Sequence, residues 1–178
     1  GGGFYFGDQV VAPTCTADDG GSGVKGECTV SGFSTAVGTH TLTATAMDDV
    51  GNVGTKTLTY TVMAWRLDGF YKPVDMGVLN TVKAGSTVPL KFNVFKGGER
   101  LTANIGATFS AKKVTCGGSV EDAIEEFATT GSTSLRYDST GQQWIQNWAT
   151  PKLGAGSCYK VTLTTADGTY VSADFKLK

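Results

Sequence analysis

The sequence predicts an all-β protein with two antiparallel β-sandwich domains in tandem, residues 1–64 and 65–178, the second carrying one short helical segment. Three observations predict this fold class. Glycine (25 of 178 residues) and threonine are abundant, which suits short strands joined by tight turns. Several segments alternate apolar and polar residues with a period of two. Because a hairpin with one apolar face must pack against another sheet, we expect sandwiches.

Composition excludes several function classes. Charged residues make up only 17% of the chain and the formal net charge is -1, so no basic surface is available for nucleic acid or anionic membranes. No apolar run approaches the ~20 residues that a membrane-spanning helix needs. The opening Gly-Gly-Gly-Phe-Tyr-Phe lacks the cationic and apolar regions of a signal peptide. We therefore interpret the chain as an excised or processed part of a longer polypeptide.

In the first half, four strands are predicted: Val10–Ala17, Glu27–Gly32, Thr39–Met47 and Gly54–Met63. Pro13 confines the first of these to an edge or a bulge. The third has Leu42, Ala44 and Ala46 on one face and threonines on the other. The turn after it, Asp48–Asn52, has the Asp, Asn and Gly residues that turns select.

Ala64–Gly69 has few turn residues, so we expect a short, stiff junction between the halves. In the second half the predicted strands are Ser86–Lys96, Ala107–Cys116, Ser134–Ser139, Gln143–Thr150 and a closing hairpin that turns at Ala166–Gly168. The segment Ser119–Ala128 is predicted to form one or two helical turns, because Ser119 suits an N-cap and the apolar spacing fits a period of 3.6.

The four cysteines favour disulfides over metal binding or free thiols. None lies in a C-x-x-C pair, and the single histidine, His40, is too little for a Cys/His zinc site. Four cysteines allow three connectivities. Since two lie in each half, we favour local pairing, Cys15–Cys28 and Cys116–Cys158. Disulfides indicate an oxidising setting, extracellular or at the cell surface.

The first half resembles the immunoglobulin-like modules repeated in secreted bacterial surface proteins and enzymes. The motifs that carry this resemblance are D-x-G-S-G-V (Asp19–Val24), G-T-H-T-L-T-A-T-A (Gly38–Ala46) and D-x-x-G-N-x-G (Asp48–Gly54). About 60 residues is short for a complete sandwich, so we expect that a strand is missing at the N-terminus.

The second half is similar to the PxKF family of bacterial extracellular modules over roughly residues 67–178. The signature is Pro89-Leu90-Lys91-Phe92, preceded by N-T-V-K-A-G-S-T-V (Asn80–Val88) and followed by G-S-C-Y (Gly156–Tyr159). The resemblance implies a non-catalytic β-sandwich accessory module of a secreted multidomain protein. Pro89 is expected at the start or an edge of its strand, because it has no N–H to donate.

The sequence contains no arrangement of residues that predicts a catalytic site. His40 lies in mid-strand between threonines, and no serine lies in a G-x-S-x-G elbow. Glu121, Asp122, Glu125 and Glu126 lie too close together in sequence to face each other across a cleft. We therefore predict that the chain is not an enzyme and requires no cofactor.

A structural calcium ion is the one metal that the sequence supports. Asp18 and Asp19 lie in one glycine-rich loop, and Asp48 and Asn52 lie in another. Oxygen-rich loops suit calcium, and in related modules these loops lie near one another at one end of the sandwich. The alternative is ordinary turn chemistry, which selects the same residues.

A carbohydrate site would need exposed aromatics that stack on sugar rings. Trp144 and Trp148 are four residues apart on one predicted strand, so they share a face with Gln146, and Tyr137 lies nearby in sequence. The alternative is that these tryptophans fill the sandwich core.

These observations predict an accessory or spacer module that presents or anchors another domain. The two alternatives are a carbohydrate-binding module and an adhesion or self-assembly module acting through strand addition. The expected partners are accordingly a polysaccharide or a cell-surface protein.

Overall fold

The computed structural model describes residues 2–117, 120–125 and 134–178, and these form fourteen strands and no helix. No helix in this part of the chain is therefore long and apolar enough to cross a membrane. The chain divides into two compact units, Gly1–Ala64 and Trp65–Lys178.

The first unit is one four-stranded sheet. Its strands are β1 (Gly3–Tyr5), β2 (Val24–Ser31), β3 (Gly38–Asp48) and β4 (Val53–Met63). They lie in the order β1-β4-β3-β2, with β1 parallel to β4 and the other pairs antiparallel. Four cross-strand threonine pairs, from Thr39–Thr61 to Thr45–Thr55, occupy the face opposite the core.

The core of the first unit lies at one end of this sheet. Leu42, Tyr60 and Val62 are buried, with Phe4 and Phe33 among the rings packed against them. The centres of the Phe4 and Phe33 rings lie 5.7 and 6.2 Å from the centre of the Tyr60 ring. The core ends at Leu42, because Leu58, its cross-strand partner on the same face, is 58% exposed.

Two predictions for the first unit are wrong. Val10–Ala17 forms no strand, and the described residues of this unit contain no second sheet. Pro13 removes a backbone donor from that segment, and the Cys15–Cys28 disulfide attaches it to β2 without a ladder. The unit is thus a single layer where a sandwich was expected.

The second unit is a two-sheet sandwich of ten strands. They are β5 (Arg66–Tyr71), β6 (Leu79–Val82), β7 (Thr87–Lys96), β8 (Glu99–Arg100), β9 (Thr108–Val114), β10 (Val120–Glu125), β11 (Arg136–Asp138), β12 (Gln143–Ala149), β13 (Cys158–Thr164) and β14 (Tyr170–Leu177).

The sheet orders are β10-β9-β13-β14-β6 and β11-β12-β7-β5, with β8 paired to β7. The first two strands split between the sheets: β5 pairs with β7, while β6 runs parallel to the last strand, β14. Two packed sheets in this order have the immunoglobulin-like arrangement. The inward-facing residues of β7, Val88, Leu90, Phe92 and Val94, are buried as the alternation predicts.

The predicted helix at Ser119–Ala128 is wrong where the structure describes it. Val120–Glu125 is a strand, antiparallel to β9 with Val120 opposite Val114 and Ile124 opposite Lys112. The β-branched Val120 and Ile124 suit a strand, and the free edge of β9 supplies a partner that outweighs the local helical spacing. Ser119 and residues 126–128 lie outside the described residues.

Gly69 lets β5 approach β7 closely. Its φ is +144°, and a Cβ at this position would lie 2.7 Å from the Cβ of Phe92. Glycine alone adopts such a backbone readily.

The segment Ala64–Gly69, expected to be a short and stiff junction, consists mainly of the start of β5.

Pro89 lies two residues into β7, opposite Asn147 of β12. The Thr150 amide donates to the Ser86 carbonyl, so even-numbered residues of β7 hydrogen-bond towards β12 and Pro89 faces the other side. On that side β5 pairs with β7 only from Lys91 onward. The missing donor is therefore at a position where no ladder bond is required, as expected.

Candidate functional site

Both predicted disulfides are present, Cys15–Cys28 and Cys116–Cys158. The second joins the turn after β9 to the first residue of β13, where the Cα atoms are 5.1 Å apart. Cys158 is fully buried, and the described residues contain no free cysteine. The cysteines therefore serve the fold.

The two acidic loops of the first unit lie side by side. The Asp49 amide donates to the Gly23 carbonyl at 3.1 Å. Asp18, Asp19, Asp48 and Asn52 line one open cavity of about 560 Å³, with the Cys15–Cys28 disulfide and Lys56 on its walls. The proximity that the calcium hypothesis assumed is thus present.

Two of these carboxylates, Asp19 and Asp48, already hydrogen-bond within their own turns. Asp19 accepts hydrogen bonds from the Gly21 and Gly23 amides and from the Ser22 hydroxyl. These bonds lower the pKa of Asp19, and the bond from the Gly21 amide contributes most.

Asp48 accepts from the Val50 and Asn52 amides and from the Asn52 side chain at 2.7 Å. The Asn52 side-chain bond is the main cause of its lowered pKa. Within the described residues, no three His, Cys, Asp or Glu side chains are grouped to hold a metal. Calcium at these loops stays a prediction.

The predicted sugar platform is wrong, because its side chains are buried. Trp148 is 1%, Gln146 4% and Trp144 7% exposed. Trp148 packs edge-to-face against Phe175, with the ring centres 5.0 Å apart. Rings that lie in the core cannot stack on a sugar.

The polar atoms of this group are also used internally. The indole N–H of Trp144 donates to the Leu101 carbonyl at 2.8 Å, and the Gln146 amide donates to the Asn147 carbonyl. Tyr137 is half-buried, and the centres of the Tyr137 and Trp144 rings lie 5.5 Å apart in an edge-to-face arrangement. The core alternative is the one observed for both tryptophans.

A buried carboxylate that the sequence did not single out is Asp167, in the turn between β13 and β14. Its Oδ2 accepts from the Trp65 amide at 2.6 Å and from the Thr169 hydroxyl at 2.7 Å. Its Oδ1 accepts from the Thr165 hydroxyl at 2.6 Å and the Thr169 amide at 3.2 Å.

Burial opposes the ionisation of Asp167, but these hydrogen bonds outweigh it and lower its pKa. The Asp-Gly turn signal identified the hairpin, yet nothing in the sequence indicated that its carboxylate binds a residue 102 positions away. With every acceptor oxygen bonded to this chain's own groups, Asp167 is a structural residue.

The outer face of the β7 sheet carries paired charges. Arg66 bonds Asp68 at 3.0 Å, and the guanidinium groups of Arg66 and Arg100 lie 4.3 and 5.4 Å from the centre of the Phe95 ring. Arg100 also donates to Gln142 at 2.9 Å. These contacts tie Arg66, Asp68, Phe95 and Arg100 into one surface cluster, in which the buried Nε of Arg100 has no hydrogen-bond partner.

No family model and no curated protein matches this chain. Solved structures with similarity include titin immunoglobulin tandem domains A164–A165 (15% identity, 78% of this chain and 60% of that one, TM-score 0.30). Fibronectin(III)-like modules of Clostridium thermocellum CbhA match at 14% identity, 80% of this chain and 64% of that one, with a TM-score of 0.31.

A third similar structure is the SGBP-B protein of a Bacteroides ovatus mixed-linkage glucan utilization locus, in complex with a heptasaccharide. It matches at 15% identity over 80% of this chain and 30% of that one, with a TM-score of 0.25. The chain spans less than two thirds of each of these three structures. At these TM-scores we draw no functional argument from the similarity.

Proposed function

We propose that this chain is a non-catalytic accessory or spacer module of a secreted or cell-surface multidomain bacterial protein, which presents or anchors another domain. The observation that carries the proposal is that the candidate polar side chains are hydrogen-bonded within the chain itself. Asp167, Asp19, Asp48 and Trp144 all hydrogen-bond to the chain's own backbone, so these side chains stabilise the turns and the packing of the fold.

Two further observations support the same proposal. The two disulfides suit an oxidising, extracellular setting. The resemblance of residues 67–178 to the PxKF modules implies an accessory role, and the signature residues Leu90 and Phe92 are fully buried scaffold. The family signature therefore describes how the sandwich is built.

Removal of this chain from the secreted polypeptide that carries it tests the proposal. We expect the attached domain to be retained less on cells or insoluble material, with unchanged turnover of soluble substrates. The isolated chain should show no turnover of chromogenic glycosides, esters or peptides. Turnover by the isolated chain, or unchanged retention after its removal, would contradict the proposal.

Of the two alternatives, strand addition has the better support. The side chains proposed to bind sugar, Trp144, Gln146 and Trp148, are buried and cannot contact a polysaccharide. Adhesion through strand addition needs an uncovered sheet edge, and β6 ends its sheet.

A further inference from the structure

A groove opens at one edge of the second unit, between β6 and the N-terminal half of β7. Its volume is about 450 Å³. Val74, Val88 and Phe175, all buried, form its floor, while Thr81 and Pro89 line its walls. The groove thus leads from the surface to the sandwich core.

One wall of the groove carries unused backbone groups. The Lys178 amide donates to the Val82 carbonyl at 2.9 Å, so Val82 faces β14. Hydrogen-bonding direction alternates along a strand, and therefore the N–H and C=O of Thr81 point away from β14. In the described part of the chain no strand pairs with β6 on that side.

The opposite wall cannot bind a strand equally well. β5 leaves β7 uncovered on the N-terminal side of Lys91, but Pro89 lies there and has no N–H to donate. An incoming strand would therefore hydrogen-bond to β6 and pack against the Pro89 ring.

The rim of the groove combines apolar side chains with positive charge. Val78 and Leu79 line the groove and are 55% and 44% exposed. Lys83 follows β6 directly, and Lys152 packs against Gly85 close by. No carboxylate among the described residues pairs with either lysine, and Asp75, which also lines the groove, pairs with Lys72. Such a site favours an extended, apolar segment with an acidic residue at the lysine end.

We propose that the free edge of β6 binds an extended peptide segment of a partner protein by antiparallel strand addition. Antiparallel pairing is the more stable arrangement per residue, and it places the N-terminal end of the segment beside Lys83. Alternate apolar side chains of the segment enter the groove towards Val88 and Phe175, and the N-terminal residue is acidic. This inference rests on the proposed function of a binding or anchoring module and names the kind of partner.

The test uses the whole chain and the peptide acetyl-Glu-Val-Thr-Val-Thr-Val with a fluorophore attached through its C-terminal amide. Binding is followed by fluorescence anisotropy and by hydrogen exchange of the Thr81 amide. We expect binding and a slower exchange of that amide. Thr81→Pro removes the outward donor and should weaken binding about tenfold or more, equivalent to about 1.4 kcal/mol. The matched variant Thr81→Val keeps the donor and should bind as the unaltered chain does.

A charge exchange tests the site without touching the β6 backbone, should Thr81→Pro not fold. Lys83→Glu should weaken binding of the Glu-initiated peptide and strengthen binding of the same peptide initiated by lysine. Unchanged exchange of the Thr81 amide with excess peptide would overturn the inference, as would equal binding by Thr81→Pro. A concentration-dependent dimer that Thr81→Pro abolishes would assign the edge to a second copy and overturn it as well.

Failure of the peptide test is distinguishable from failure of the proposed function. Without peptide binding, the strand-addition site is withdrawn, whereas the accessory role is decided by retention of the attached domain and by turnover.

Discussion

The Asp167 carboxylate accepts a hydrogen bond from the backbone amide of Trp65 at 2.6 Å. This contact joins the last hairpin turn of the second unit to the residue that begins the same unit, so it closes the sandwich at one end. The carboxylate is buried and ionised, with its charge stabilised by two hydroxyls and two amides.

Asp167→Asn should destabilise the second unit by about 1–3 kcal/mol, the typical cost of breaking buried hydrogen bonds to a charged group. All three tryptophans, Trp65, Trp144 and Trp148, lie in this unit, so tryptophan fluorescence during urea unfolding reports its free energy of unfolding. Because the folded pKa of Asp167 is lowered, its contribution is fully present above the unfolded pKa of about 3.9. It is lost as the pH falls through the folded pKa.

The difference between the original chain and Asp167→Asn should therefore be full at pH 7 and shrink below about pH 4. A difference in unfolding free energy that is the same at pH 3 and pH 7 would show that the charge of Asp167 is not responsible.

Gly69→Ala should destabilise the second unit by about 2 kcal/mol or more, since alanine combines a positive φ with a clash against the Cβ of Phe92. The control is Gly98→Ala, where an added Cβ meets nothing within 4 Å. Urea unfolding followed by tryptophan fluorescence should show a loss for the first variant only. Equal midpoints for both variants would contradict the close approach of β5 to β7.

Trp144→Phe should leave any retention on insoluble polysaccharide unchanged and lower stability modestly. The replacement keeps an apolar ring in the core but loses the 2.8 Å bond to the Leu101 carbonyl, which costs about 1–3 kcal/mol when the acceptor is left unpaired. Column retention and urea unfolding are measured on the same preparation. Specific loss of retention at unchanged stability would restore the sugar-binding role of Trp144.

Replacing Cys116 and Cys158 by alanine should lower the free energy of unfolding by about 4 kcal/mol. The chain-entropy estimate gives this value because the disulfide closes a loop with a sequence separation of 42. Removing Cys15–Cys28, with a separation of 13, should cost about 3 kcal/mol. Differential scanning calorimetry measures both variants, and thiol labelling of the denatured, unreduced chain should detect no thiol. Labelling of the unreduced chain would contradict the pairing and the extracellular setting together.

Calcium should raise the melting temperature of the first unit if the loops of Asp19 and Asp48 bind it, since a ligand bound only to the native state stabilises that state. The first unit has no tryptophan, so far-ultraviolet circular dichroism with and without chelator is the measurement. Asp19→Asn with Asp48→Asn should remove any shift. Equal melting temperatures with and without chelator would end the calcium prediction.

Local patterns in the sequence determined several of the strands and the turns between them. The alternation in Thr39–Met47 and Ser86–Lys96, the Asp-Gly turn before Thr169 and the pairwise distribution of cysteines each depend on residues close in the chain. A period of two places side chains on opposite faces wherever a strand forms, so these features were predictable without knowing the partners.

Only the tertiary structure decided which faces are covered. Leu42 and Leu58 lie on the same face of the first sheet, yet Leu58 is exposed because the described residues of this unit form no second sheet to cover it. Trp144 and Trp148 share a face as predicted and both are buried, with Trp148 packed against Phe175 of the opposite sheet. Val120–Glu125 became a strand because β9 offered an edge. The bond between Asp167 and Trp65 spans 102 residues, and such contacts arise from how the sheets pack, which local sequence does not contain.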